Sequence, residues 1–372
     1  MVPRISDLSP AALATFDDII DVRSPAEYAE DHLPGAINLA ALSNEQRAEV
    51  GTIYKQVSPF EARRVGAAMV SRNVADGLNG LLADRPLSWR PLLYCWRGGQ
   101  RSGSVAHILS AVGWKASVIA GGWRTWRGKV VDATRGPSEG PSVLLVDGQT
   151  GCAKTAILGR AAELGAPTID LEGAGNHRGS AFGAFADRPQ PSQKHFETLI
   201  FDAMRKHGAS GRDLTNPTFL VEAESSLVGT LRVPARIWRA MKSARRVEIR
   251  APLSARAKFT VKAYTDICTD RTKIFAAIDK LKGQHSSGQL EEWQQLATDD
   301  RHYDLALSLM ERHYDPLYER SRRKRMDEAV DVIDLPDLSE ESLQDAARRL
   351  ASLASATKTA PDRFSIEAAN RV

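Results

Sequence analysis

Short apolar runs at residues 16–22, 91–94 and 116–120 alternate with amphipathic stretches near 44–73 and 102–112. That alternation predicts an α/β domain with a largely parallel sheet. Residues 132–141, D-A-T-R-G-P-S-E-G-P, are rich in Gly, Pro and Ser and interrupt the pattern as a linker does. A fresh apolar strand at 142–146 then runs into a glycine-containing turn and a helical stretch at 154–164, and a second strand at 218–221 ends in Glu222 and Glu224. From 251 to about 325 the apolar spacing is helical, and from Ser352 onward the chain is small and polar. The expected organisation is an α/β domain over 1–132, a linker over 133–141, a second α/β domain with a helical extension over 142–351, and a disordered tail over 352–372.

The length of 372 residues agrees with two cores rather than one. A hydrophobic fraction of 42% and a charged fraction of 26% are those of a water-soluble chain, with no apolar run fit to span a bilayer. The N-terminal residues lack the apolar core and small-residue cleavage site of a secretory signal, so the expected location is the cytoplasm. Three widely spaced cysteines, Cys95, Cys152 and Cys268, form neither a disulfide framework nor a paired zinc motif. The formal charge is only +4, but residues 232–262 hold ten basic side chains against the single acid Glu248, and residues 320–325 hold five in six positions. Such blocks are either solvated helix faces or contacts to a polyanion, with Arg236, Arg239, Arg245, Arg246, Arg322 and Arg323 the candidates for phosphate contact.

Cys95 follows the strand Leu92-Leu93-Tyr94 and precedes Trp96-Arg97-Gly98-Gly99-Gln100-Arg101-Ser102, which opens a helix. A strand-to-helix turn aims backbone N–H groups at its centre and adds the positive end of the helix dipole, which favours a thiolate or a bound chalcogen anion. Arg97 and Arg101 add charge, and Gly98 and Gly99 let the backbone curl. Cys95 to Arg101 also fits the C-x5-R spacing of cysteine phosphatases, and a lone cysteine at a strand end is most often structural. The flanks D-V-R-S-P-A-E-Y-A-E-D-H-L-P-G-A-I-N at 21–38 and V-I-A-G-G-W at 118–123 bring the region close to a rhodanese domain, which it resembles.

Residues 148–155, G-Q-T-G-C-A-K-T, lie between a strand and a helix, the context of a Walker A phosphate loop. Gly148, Thr150 and Gly151 would wrap a diphosphate, Lys154 would bridge its oxygens, and Thr155 could hold Mg2+, with Glu222 the candidate acidic partner. Ala153 stands where the pattern has glycine, which is harmless unless that residue needs positive φ. No tightly bound cofactor is expected.

Three further stretches, L-E-G-A-G-N-H-R-G-S-A-F-G at 171–183, Gln190-Pro191-Ser192-Gln193, and H-Y-D-P-L-Y at 313–318, complete a resemblance that runs from about Asp21 to about Arg325. The chain is similar to the tRNA 2-selenouridine synthase family, a rhodanese-like domain followed by a P-loop NTPase-like α/β domain. The resemblance implies that the sulfur of wobble 2-thiouridine in tRNA is alkylated by geranyl diphosphate and then displaced by selenium from selenophosphate, itself supplied by a selenophosphate-producing enzyme. It implies that Cys95 takes up selenium, that the 148–155 loop holds the leaving diphosphate, and that residues 177–179 and 190–193 border the site. A sulfurtransferase coupled to a nucleotide-dependent step and a nucleotide-sensing regulatory module are the competing readings.

Overall fold

The computed structural model describes residues 2–179, 183, 185, 187–208, 217–223, 225–323 and 331–356. Two compact units emerge, one of residues 1–136 with 191–206, the other of 137–190 with the chain from 207 onward.

In the first unit, strands β1 (Arg4–Ile5), β2 (Asp18–Asp21), β3 (Ile37–Asn38), β4 (Pro91–Tyr94) and β5 (Ser117–Ile119) form a sheet in the order β1-β5-β4-β2-β3, every pairing parallel. Pro91–Tyr94 is buried at every position, as a central parallel strand covered on both faces must be. The amphipathic stretch expected near 44–73 resolves into two helices, Asn44–Gln56 and Pro59–Asn79. Pro59 forces the break because the residue before a proline avoids helical dihedrals, and Ser58 then caps the second helix, its Oγ accepting from the Glu61 amide at 3.0 Å.

Two boundaries differ from the sequence expectation. The helix Gly122–Arg135 runs through the start of the expected linker, so the unit ends at 136 rather than 132. Residues 191–206 also return to it: the helix Gln193–Lys206 sets Phe201 edge-on against Trp126 at 5.2 Å and buries Glu197 between Arg127 and Arg135. Local periodicity shows that such a helix is amphipathic but not which sheet its apolar face will cover.

In the second unit, β6 (Val143–Gly148), β7 (Thr168–Ile169), β8 (Phe219–Glu222), β11 (Arg245–Arg250) and β12 (Asp331–Asp334) form a parallel sheet in the order β12-β11-β6-β8-β7, with β9 (Leu227–Val228) and β10 (Leu231–Arg232) a separate antiparallel hairpin. A core of Leu144, Val146, Ile157, Leu220, Val247 and Ile249 is closed by Leu343, Ala347 and Leu350 of the helix Glu340–Ala356. That helix takes in the first five residues of the expected tail, 352–356, and residues 357–372 lie outside the described ones. The expected helical region consists of Leu253–Ala263, Thr265–Cys268, Arg271–Asp279, Ser287–Thr298 and His302–Leu309, then a π-helical turn Met310–Tyr314 and the helix Asp315–Arg323. These surround a second core of Ile274, Ile278, Trp293, Leu305 and Leu309. Among the described residues no helix is long and apolar enough to cross a membrane.

β6 lies between β8 and β11: from β6 the chain crosses to β7 and returns to β8 on one side, then crosses to β11 and β12 on the other, a topological switch point, and ligands of such sheets bind beyond the strand C-termini there. Both motif loops occupy that position in their own units: Cys95 directly follows β4, and the 148–155 loop follows β6.

Candidate functional site

The cysteine loop is held from beneath by the 118–123 signature. The Trp123 amide donates to the Cys95 carbonyl at 2.8 Å and the Arg124 amide to the Trp96 carbonyl at 3.0 Å. The backbones approach so closely that only glycine fits: a Cβ on Gly98 would lie 2.5 Å from the Ile119 oxygen, and one on Gly122 would lie 2.2 Å from the Cys95 oxygen. The V-I-A-G-G-W segment is therefore the floor of the loop.

Cys95 Sγ accepts from the Gly99 amide and from the Ser102 hydroxyl, each at 3.3 Å. Burial alone would raise this thiol, but the hydroxyl and amide of Ser102 and the amides of Gly99 and Arg97 outweigh it and bring its pKa below the ordinary value. Donors of the loop, rather than arginine charge, do this. Arg101 instead pairs with the buried Glu27 at 3.0 Å, where Arg47 joins it, also at 3.0 Å. Burial would raise Glu27, yet Arg101, Ser24 and Arg47 hold it below the usual carboxylate range. Glu27, Arg47, Trp96, Arg97 and Arg101 border an open cavity of about 390 Å3 over Cys95. Ser102 and Glu27 lie within the cysteine-loop and 21–38 motifs, and only the fold brings the Ser102 hydroxyl to Cys95 Sγ and the Glu27 carboxylate to Arg101.

In the second unit the helix Lys154–Glu163 begins directly after the phosphate loop. Lys154 Nζ donates to the Gly148 carbonyl at 3.0 Å and lies 3.7 Å from Glu222 Oε1. Ala153 adopts φ 59°, ψ 27°, the left-handed conformation in which an alanine is strained and a glycine is not. Thr155 Oγ1 stands 2.9 Å from both Glu172 Oε2 and Glu222 Oε2. A hydroxyl has one proton and cannot satisfy two carboxylates at once. Two buried carboxylates and a hydroxyl are an oxygen donor set that suits a hard cation such as Mg2+. Glu222 is thus buried beside Thr155 and not a solvated strand end, and Glu172, which the sequence alone does not single out, stands with it. Glu224 lies outside the described residues.

Arg178 and Gly179 line the cavity of about 520 Å3 above this loop, with Lys154, Thr155, Glu172 and Glu222. The Arg178 guanidinium lies over Phe185 at 4.0 Å and over Tyr264 at 4.7 Å. His177 and Gln190 border a neighbouring cavity, and Gln190 ties the Leu171–Gly175 helix to the β9–β10 hairpin through the carbonyls of Gly175 and Val228. Gln193 belongs to the first unit, so the 190–193 stretch does not act as one piece. Cys152 is buried, and burial pushes its thiol up.

The basic block at 232–262 is no single face. Arg236 is 2% exposed and its Nε donates to the Glu139 carbonyl at 2.7 Å; Arg246 pairs with Asp147 at 3.5 Å; Arg256 is buried against Asp315 at 2.7 Å. Arg236 and Arg246 are structural, contrary to the expectation of phosphate contact, whereas Arg239, Arg245, Arg322 and Arg323 are exposed. Lys324 and Arg325 of the second block lie outside the described residues.

A family model described as a rhodanese-like domain matches residues 9–129, and one described as the tRNA 2-selenouridine synthase AAA domain matches residues 141–290. The tRNA 2-selenouridine synthase of Hydrogenovibrio crunogenus is 30% identical over 353 residues, which span 87% of this chain and 94% of that protein. That of Chromohalobacter salexigens is 30% identical over 360 residues, 88% of this chain and 94% of the relative, and that of Cronobacter sakazakii is 36% identical over 252 residues, 68% and 65%. Resembling these proteins through both units and along most of its length, the chain belongs to the tRNA 2-selenouridine synthase family.

Proposed function

We propose that this protein converts wobble 2-thiouridine in tRNA to 2-selenouridine through an S-geranyl intermediate, with geranyl diphosphate as alkyl donor and selenophosphate, from the enzyme that makes it, as selenium donor. The observation that carries the reading is the set Lys154, Thr155, Glu172 and Glu222 gathered over a phosphate loop, in a chain of this family that also holds an anion-stabilising cysteine loop. In the first step the thiocarbonyl sulfur forms a bond to the geranyl C1 carbon as the C–O bond to diphosphate breaks, and the base loses its N3 proton. The charge that develops on the leaving diphosphate is met by the loop amides and by Lys154, which would turn from the Gly148 carbonyl toward it. Mg2+ held by Thr155, Glu172 and Glu222 would supply further charge neutralisation when bound. In the second step the selenium of selenophosphate adds at C2, the geranyl-bearing sulfur leaves with its electron pair and takes up a proton, and water cleaves the P–Se bond to release phosphate as N3 regains its proton. Cys95 serves this step, its loop donors stabilising an anion at Sγ. The exposed Arg239, Arg245, Arg322 and Arg323 are proposed to meet tRNA phosphates.

The two loops can be tested apart. Cys95→Ala should lose selenium incorporation and keep geranylation, whereas Lys154→Ala should lose geranylation and still selenate tRNA that already carries the S-geranyl group. Loss of both steps in both variants would contradict the division of labour.

A further inference from the structure

Beside the phosphate-loop cavity lies a second recess of about 80 Å3. Thr150, Thr260, Tyr264 and Tyr314 line both, so the two spaces share a wall. The residues that belong only to the second recess include Ile267, Ile274, Leu305, Ala306 and Leu309, drawn from three helices around the Trp293 core. We propose that this recess receives the hydrocarbon chain of a prenyl diphosphate whose head group lies in the phosphate loop, and that its walls set the chain length accepted. The inference rests on the reading that the loop binds a diphosphate, and it adds where the rest of the substrate goes.

The chemistry of the lining selects the class of ligand. Thr150, Thr260, Tyr264, Tyr314 and His302 bring polar groups to the lining, but the aliphatic remainder offers too few placed donors and acceptors for a nucleoside's base and sugar, which would be left largely desolvated and unpaired. An alkyl chain needs only to leave water. The recess begins at Thr150 inside the phosphate loop itself, so one molecule with an anionic head and an apolar tail would fill both spaces. For comparison, an apolar cavity of about 150 Å3 binds benzene. At about 80 Å3 the recess must widen to take more than one isoprene unit.

The wall that can yield is the one built around Met310. Met310 begins the π-helical turn Met310–Tyr314, and both of those end residues line the recess. Thioether side chains adapt to irregular shapes, and single π turns recur where a helix has been modified for function. Met310 also touches the loop: a Cβ on Gly151, which sits at φ +83°, would come within 2.6 Å of Met310 Cε and 2.7 Å of Thr260 Oγ1. Arg256 fixes the same junction, Nη1 donating to the Thr150 carbonyl at 3.1 Å while Nη2 pairs with Asp315 at 2.7 Å. Head-group site and tail site are therefore braced against each other by Arg256 and Met310.

The test uses the full chain with 2-thiouridine-containing tRNA and dimethylallyl, geranyl and farnesyl diphosphates as alternative donors, with inorganic diphosphate binding measured in parallel by calorimetry. Ala306→Leu, at a half-buried position, adds bulk to the recess. It should lower kcat/KM for geranyl diphosphate about tenfold or more, spare the dimethylallyl donor, and leave inorganic diphosphate binding unchanged. Leu305→Val, which enlarges the recess, should shift preference toward the farnesyl donor. Retained diphosphate binding with unaltered donor preference in both variants overturns the proposal and leaves the phosphate-loop reading intact. Failure of wild-type protein to bind inorganic diphosphate overturns the phosphate-loop reading itself. If Ala306→Leu does not fold, Leu305→Val alone decides between the two.

Discussion

Replacing Ser102 with alanine removes the hydroxyl that donates to Cys95 Sγ at 3.3 Å and leaves the Gly99 amide donor in place. Ser102 is fully buried on the side of Cys95 Sγ away from the cavity's charged rim, so water is poorly placed to take over the lost bond. A hydrogen bond to a charged group contributes about 1.5–3 kcal/mol, and sulfur at this distance belongs at the lower end. Since about 1.4 kcal/mol is a factor of ten, the thiolate should become about tenfold less favoured. The sign follows from the direction of the shift. A thiol whose folded pKa is depressed gains stability from ionisation above its unfolded value, near 9.0, and loses it as pH falls through the folded value. The assay is the rate of Cys95 alkylation by iodoacetamide against pH, followed by peptide mass spectrometry so that Cys152 and Cys268 are read separately. Ser102→Ala should move the midpoint upward, lower the rate about tenfold at pH values below both midpoints and leave the alkaline plateau alone. An unmoved midpoint, or an equal fall at every pH, would refute the claim that loop donors rather than access govern this cysteine.

Ala153→Gly relieves about 1–2 kcal/mol of left-handed strain but gives up a buried methyl and frees the unfolded chain, so its thermal midpoint should stay close to wild type. Ala153→Val, β-branched at positive φ, should lower both the midpoint and inorganic diphosphate affinity; a tolerated valine would contradict the observed backbone. Glu172→Gln should weaken Mg2+-dependent diphosphate binding while binding without Mg2+ persists, measured by calorimetry with and without the metal. Arg245→Ala should weaken tRNA binding and reduce its salt slope, whereas Arg236→Ala should lower thermal stability by about 1–3 kcal/mol through loss of its buried side chain and its bond to the Glu139 carbonyl; equal effects of the two on tRNA would refute the division of the basic block.

The cysteine and phosphate loops were legible because each is a contiguous run in which glycine, a strand before and a helix after all carry one meaning. Glu172 was harder. It stands in a family-like stretch whose residues also read as helix caps and turns, and only the fold brings its carboxylate to Thr155 Oγ1. The strand Arg245–Arg250 was hidden by its own composition: R-R-V-E-I-R looks like part of a basic surface, yet Val247 and Ile249 lie in the core and Glu248 is buried with them. Arg236 and Arg256 misled in the same way, because a count of charges does not register that a guanidinium has an internal carbonyl or carboxylate partner. The helix Gln193–Lys206 was not singled out in the sequence, and its place in the first unit was hidden because the packing of Phe201 on Trp126 joins residues 75 positions apart.

The central claim is tested most directly by incubating the protein with 2-thiouridine-containing tRNA and geranyl diphosphate, with and without selenophosphate, and analysing the nucleosides by mass spectrometry. The account predicts S-geranyl-2-thiouridine without selenophosphate and 2-selenouridine with it; unchanged 2-thiouridine under both conditions would contradict it.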